Sequence, residues 1–181
     1  LKENQPELDI TEREIELTRI AALLHDIGHG PFSHLYDDYI IEPGEAEHEE
    51  RGINIFTDMI LKYKLPITNE EIKYIIDMIN PQKKNINNWK FEIVANKQSQ
   101  IDVDKIDYIQ RDCYHLGFGI NETFERLLTM CEVKSMVINN GGVDNDVKLV
   151  LAWPNKLQDE VMSLFEIKQT FNLPSSFTYG P

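Results

Sequence analysis

Cysteine is nearly absent from this 181-residue chain: Cys113 and Cys131 are the two present, and no Cys-x-x-Cys pair or secretory signal accompanies them. Neither a disulfide framework nor a redox motif therefore organises the chain, and both residues are expected as buried thiols in a reducing compartment, cytoplasmic or nuclear. Long apolar runs are also missing. Nothing approaches the roughly 18 to 20 residues needed to cross a bilayer, so no transmembrane helix is expected. Basic residues are scarce, with 18 Lys and Arg against 31 Asp and Glu, a formal charge of −13. That balance disfavours broad binding to nucleic acid or to an anionic membrane, and a solvated surface accounts for most of it. It leaves room for a small anionic substrate, because a bound divalent cation and a few placed cations reverse the potential locally. The length suits one compact domain, without internal repeats and with no low-complexity tract beyond an Asn/Lys-rich stretch at 81–90.

What the chain does have is a dense block, Leu24-His25-Asp26-Ile27-Gly28-His29-Gly30-Pro31-Phe32-Ser33-His34. Imidazole nitrogens beside a carboxylate suit a divalent metal. A lone His-Asp pair is more often an ordinary hydrogen-bonded couple, and the added histidines between glycines shift the balance towards a site. Thr11-Glu12-Arg13-Glu14 has the form of a capping box, and Ile15, Thr18, Ile20, Ala21 and Leu24 recur at helical spacing, so His25-Asp26 falls near a helix C-terminus. Gly28, Gly30 and Pro31 break that helix and free His29 and His34 to turn towards a shared cleft.

Further helices are expected over 32–41, 45–61, from Asn69 to Asn80, 103–116, 123–131 and from a cap at Asn155 to about 170. The runs 133–139 and 147–153 read as strands joined through Asn139-Asn140-Gly141-Gly142, and 173–181 as a poorly ordered tail. The fold class is mainly α with a small two-stranded β-ribbon. Residues 1–132 form the helical core, and 133–181 add the ribbon, a helix and the tail to the same domain.

A metal on His25 and Asp26 needs further donors. The segment Ile101-Asp102-Val103-Asp104-Lys105-Ile106-Asp107-Tyr108 supplies carboxylates at a helix start, with Asp102 as a cap. From spacing alone Asp104 serves equally well as a ligand, a capping group or a surface charge.

Taken with Arg111-Asp112-Cys113-Tyr114-His115-Leu116-Gly117, these blocks resemble the HD-domain phosphohydrolases and, more narrowly, the deoxynucleoside triphosphate triphosphohydrolases. The likeness runs over roughly residues 5–133 and takes in Gln5-Pro6-Glu7-Leu8 and Glu47-His48-Glu49. It implies an HD helical bundle, and a divalent metal (Mn, Mg, Fe, Co or Zn) on His25, Asp26 and Asp104. It also implies one more histidine ligand in an upstream Arg-Phe-Glu-His-Ser-type helix. No such segment precedes Leu1, so the chain is expected to begin inside the domain.

The implied reaction converts a dNTP and water to deoxynucleoside and triphosphate. The resemblance assigns His48 as general acid with Asp37 as its orienting carboxylate, and acidic neighbours favour its protonated form. His29 and His34 orient His48 or the phosphates, and Lys105 offsets phosphate charge. Tyr108 and Asp112 match sugar-contacting positions. Bland alternatives stand beside these roles: an exposed helix histidine for His48, a solvated lysine for Lys105 and plain core for Tyr108. The stretch from Glu160 to Phe165 and on to Asn172 lacks the Arg- and His-rich helices of such relatives, so regulatory sites are not carried over. A homo-oligomer is compatible with the sequence. Competing functions are another HD-type hydrolase of nucleoside monophosphates or phosphodiesters, and an inactive HD domain that binds nucleotide or a partner.

Overall fold

A computed structural model describes residues 1–42, 44–82, 88–117, 124–138 and 146–171, without the side chains of 138, 146 and 168–171. The chain divides into two compact units, Asp9–Gln100 and Leu1–Leu8 with Ile101 onward.

In the Asp9–Gln100 unit, α1 (Glu12–Leu24) starts on a closed capping box: Thr11 Oγ1 accepts the Glu14 N–H at 3.1 Å, and Glu14 accepts the Thr11 N–H at 2.9 Å. After it come α2 (His34–Tyr39), α3 (His48–Tyr63) and α4 (Asn69–Ile79). The last repeats the device with Thr68 and Glu71, at 3.3 and 2.8 Å. Leu17, Ala21 and Leu24 of α1 pack with Phe56 of α3, with Ile75, Met78 and Ile79 of α4, and with Phe91 and Val94. This apolar cluster seats the C-terminal end of α1, and with it His25 and Asp26.

Two helix starts come later than the sequence suggests. The segment from 32 becomes helical only at His34, because Phe32 and Ser33 take positive φ values of 67° and 51°, a conformation that β-carbon-bearing residues adopt at a cost. The helix expected from 45 begins at His48, since Glu47 is extended with ψ 160°; it runs on to Tyr63 and stops on a left-handed Lys64.

In the other unit, α5 (Val103–Leu116) is capped by Asp102, whose carboxylate accepts the Lys105 N–H at 2.9 Å. It ends on Gly117 at φ 71°, the left-handed residue that closes a helix C-terminus. Beyond it lie α6 (Glu125–Thr129), the antiparallel strands β1 (Glu132–Ile138) and β2 (Asp146–Ala152), and α7 (Gln158–Phe171). The expected final helix is preceded by a 3-10 turn at Asn155–Leu157 with Pro154 as its cap, so Asn155 lies within that turn. The ribbon register runs from Glu132 opposite Ala152 to Ile138 opposite Asp146; its expected turn at 139–142 and the tail at 173–181 lie outside the described residues. Gln5 pairs through its amide with the Val133 backbone at 2.6 and 3.1 Å, extending the edge of β1. Ile106, Ile109 and Cys113 pack with Phe124, Leu127, Leu157 and Leu164. Both cysteines are buried free thiols, as their scarcity suggests.

Candidate metal donors and histidine cluster

His25 occupies the C-cap of α1, where carbonyls are left without helical partners. Its Nδ1 lies 2.7 Å from the Ala22 oxygen. A carbonyl can only accept, so Nδ1 carries the hydrogen and Nε2 is the nitrogen left to face Asp26 Oδ1 at 3.2 Å. In the neutral ring, two electron-rich atoms would then confront one another. Either a proton or a metal ion between them removes the conflict, and a backbone carbonyl on the remote nitrogen is how metal-ligating imidazoles are commonly oriented. The His25 imidazole beside it holds the Asp26 carboxyl below the ordinary range, against the opposing effect of burial. The donor set of this pair therefore fits a divalent cation.

The chain then turns back onto α3. A β-carbon at position 28 would lie 1.9 Å from the His48 carbonyl oxygen and 2.4 Å from the Gly52 nitrogen, so only glycine permits this approach. The contact brings His29 onto His48 with ring centroids 4.0 Å apart and planes within 14°. His34 stands edge-on to His29 at 4.9 Å and to His48 at 5.8 Å. Asp37 of α2 sends Oδ2 to both stacked rings, 3.5 Å from His29 Nδ1 and 3.4 Å from His48 Nδ1. Glu49 lies 3.4 Å from the same nitrogen of His48. The other ring nitrogen of His29 is 3.5 Å from Asp26, so one imidazole spans the two carboxylates. Burial pushes the His29 imidazole towards its neutral form and His48 adds to this, while Asp26 and Asp37 oppose it.

The His29, Asp37 and His48 ligand atoms lie within 4.8 Å of one another, close enough to be weighed as a second metal set. The same three side chains also suit proton handling, because an imidazole beside a carboxylate is the usual general acid or base.

Arg51, on the first turn of α3, is the participant that sequence reading missed. Its guanidinium donates to Asp37 Oδ1 at 2.5 Å, to the Gly28 carbonyl at 2.9 Å and to the Ala46 carbonyl at 2.6 Å. It holds the Asp37 carboxyl below the ordinary range, with burial opposing. The available signal was its place: a cation in the first helical turn opposes the macrodipole and needs a local reason to be there.

In the other unit, Asp104, Tyr108 and Asp112 recur every fourth residue and share one face of α5. Burial raises the Tyr108 phenol, and the carboxylates of Asp104, Asp102 and Asp112 raise it further. Lys105 leaves that face. It is 4% exposed, with its ammonium 4.7 Å from the centre of the Phe165 ring, which removes the solvated-lysine alternative.

A helical unit closing a His-Asp pair against a histidine cluster has the arrangement of an HD domain. The HD domain family matches residues 2–112, and the chain belongs to it. Among its relatives is the deoxynucleoside triphosphate triphosphohydrolase SAMHD1 of Bos taurus, 39% identical with 75% of this chain and 28% of the relative covered. The Homo sapiens SAMHD1 is 33% identical over 95% of this chain and 30% of its own length. A Dictyostelium discoideum homolog is 38% identical over 74% of this chain and 27% of its own length. The chain thus spans less than a third of these relatives. Among the described residues no helix is long and apolar enough to cross a membrane.

Proposed function

We propose that the chain carries out metal-dependent hydrolysis of deoxynucleoside triphosphates to deoxynucleoside and triphosphate. The observation that carries this reading is the carboxylate-bridged pair of His29 and His48, joined through Asp26 to a His-Asp donor pair oriented for a cation. His25, Asp26 and Asp104 would hold the divalent ion, as Mn, Mg, Fe, Co or Zn. Such an ion, when bound, lowers the pKa of water and polarises a phosphoryl oxygen.

The protein's own part is proton delivery and placement. Water oxygen bonds to the α-phosphorus as the bond to the 5′-oxygen breaks, and that oxygen leaves as a hydroxyl only if it receives a proton. His48 is the donor, held through Nδ1 by Asp37, so that its other nitrogen faces the reaction. His29 and His34 line the same cluster and orient the phosphates. Tyr108 and Asp112, on one face of α5, read the sugar, the carboxylate accepting from the 3′-hydroxyl and the ring filling the space a 2′-hydroxyl would occupy. Lys105 offsets triphosphate charge from its buried position.

The test is product analysis: dGTP with Mn²⁺ should yield deoxyguanosine and inorganic triphosphate in equal amounts. Release of orthophosphate with dGDP, or turnover of a phosphodiester in place of dGTP, would overturn the reading. His25→Ala and Asp104→Ala should each lower bound metal, measured by elemental analysis, together with turnover.

A further inference from the structure

Asp37 has two oxygens and three partners. Oδ1 is taken by Arg51, and Oδ2 is left to the two histidines. The division is not automatic, because a carboxylate on a short exposed-faced helix can rotate about its terminal bond and offer either oxygen to either side. Three features of Arg51 remove that freedom. Its guanidinium is a planar fork whose donors are fixed relative to one another. Two of those donors are anchored on backbone carbonyls, of Gly28 in the His-Asp turn and of Ala46 just ahead of α3. Its carbon lies 5.8 Å from the centre of the Tyr36 ring, one position from Asp37 on α2, which restrains the guanidinium from a further side.

We infer that Arg51 is a positioning residue for the histidine cluster: by binding Asp37 Oδ1 while tied to Gly28 and Ala46, it presents Oδ2 to His29 and His48 and makes Asp37, rather than Glu49, the carboxylate that orients His48. Glu49 stands at the same distance from His48 Nδ1, 3.4 Å, but among the described residues no guanidinium pairs with it as Arg51 does with Asp37. The Gly28 anchor has a second effect. The turn that carries His29 and the helix that carries His48 are fastened by the same side chain that aims their shared carboxylate. Loss of Arg51 therefore loosens ring placement and carboxylate direction together.

The proposal rests on the hydrolytic reading for its kinetic arm and is independent of it for its spectroscopic arm. In the intact chain, Arg51→Met should lower kcat for triphosphate release about 10- to 100-fold, the usual range for an outer partner of a site, with KM within about threefold. Combined with Asp37→Asn it should add little further loss, because both changes disable one device. Arg51→Lys keeps the charge but cannot make three directed bonds, and it should show the same kcat loss with wild-type melting. The imidazole ¹⁵N signals of His29 and His48 in Arg51→Met should move towards those of Asp37→Asn. Imidazole signals that stay at wild-type positions in both Arg51 variants overturn the inference, as does additivity with Asp37→Asn. If the wild type releases no triphosphate, the functional reading fails alone, and the imidazole signals still decide the role of Arg51.

Discussion

His48 is the side chain on which the proposed chemistry turns, and its neighbourhood separates two effects that a single substitution often confounds. It belongs to the cluster with His29 and Asp37 and not to the His25-Asp26 donor pair, so His48→Ala should leave bound metal unchanged while kcat falls about 10²- to 10⁴-fold, the range for losing a general acid. Elemental analysis beside a product assay checks both halves. Gly28→Ala tests the contact beneath the stack: its β-carbon would fall 1.9 Å from the His48 carbonyl, so the turn must withdraw. Overpacking of this kind costs about 1–3 kcal/mol, readable by denaturant unfolding, and turnover should fall as the rings part. Much of this site was legible in sequence, because the His-Asp donors and His29 and His34 are contiguous and punctuated by glycines. Arg51 was not. Its role depends on carbonyls and a carboxylate that only the folded turn brings within reach, and arginine in an acidic helix start reads equally well as surface charge.

Helix boundaries followed the same logic. The starts of α1 and α5 were readable because each is set by a cap adjacent in sequence, Thr11 and Asp102, and α4 opens at the expected Asn69 although the cap is Thr68 before it. The late starts of α2 and α3 were not, because nothing in the local residue pattern marks the positive φ at Phe32 and Ser33 or the extended Glu47. The capping glutamates also do more than cap. Glu71 accepts two bonds from Arg13 of α1, at 2.5 and 3.1 Å, while Glu14 binds Lys90. Arg13 holds the Glu71 carboxyl down at about 2, against an ordinary 4.5. The folded state therefore binds this proton less readily than the unfolded chain, so the stabilisation is complete above about 4.5 and is lost as pH falls towards about 2. Glu71→Gln, which keeps a capping oxygen, should melt lower than wild type at pH 7. The two melting curves should draw together across that window, and a difference that persists undiminished at its acid end would rule out the charge as the cause.

For the molecule as a whole, an acidic composition coexists with a site proposed for an acidic substrate, which places the burden of attraction on the divalent ion proposed there and on a few local cations rather than on the general field. The helical class and the ribbon were predictable from periodicity, and the family from two motifs that lie far apart in sequence. How the chain finds this arrangement is a further matter. Arg13 reaches Glu71 across 58 positions and Glu14 reaches Lys90 across 76, so the segment leading into the His-Asp turn is secured by long loop closures. Closures of that length are entropically costly and tend to form after local helices. The α1–α4 clamp should then be absent at the folding barrier, and Arg13→Ala should quicken unfolding in stopped-flow denaturant jumps while leaving the refolding arm almost unmoved. The N-terminal end of α1 would accordingly be among the last parts of its unit to become native and among the first to be released.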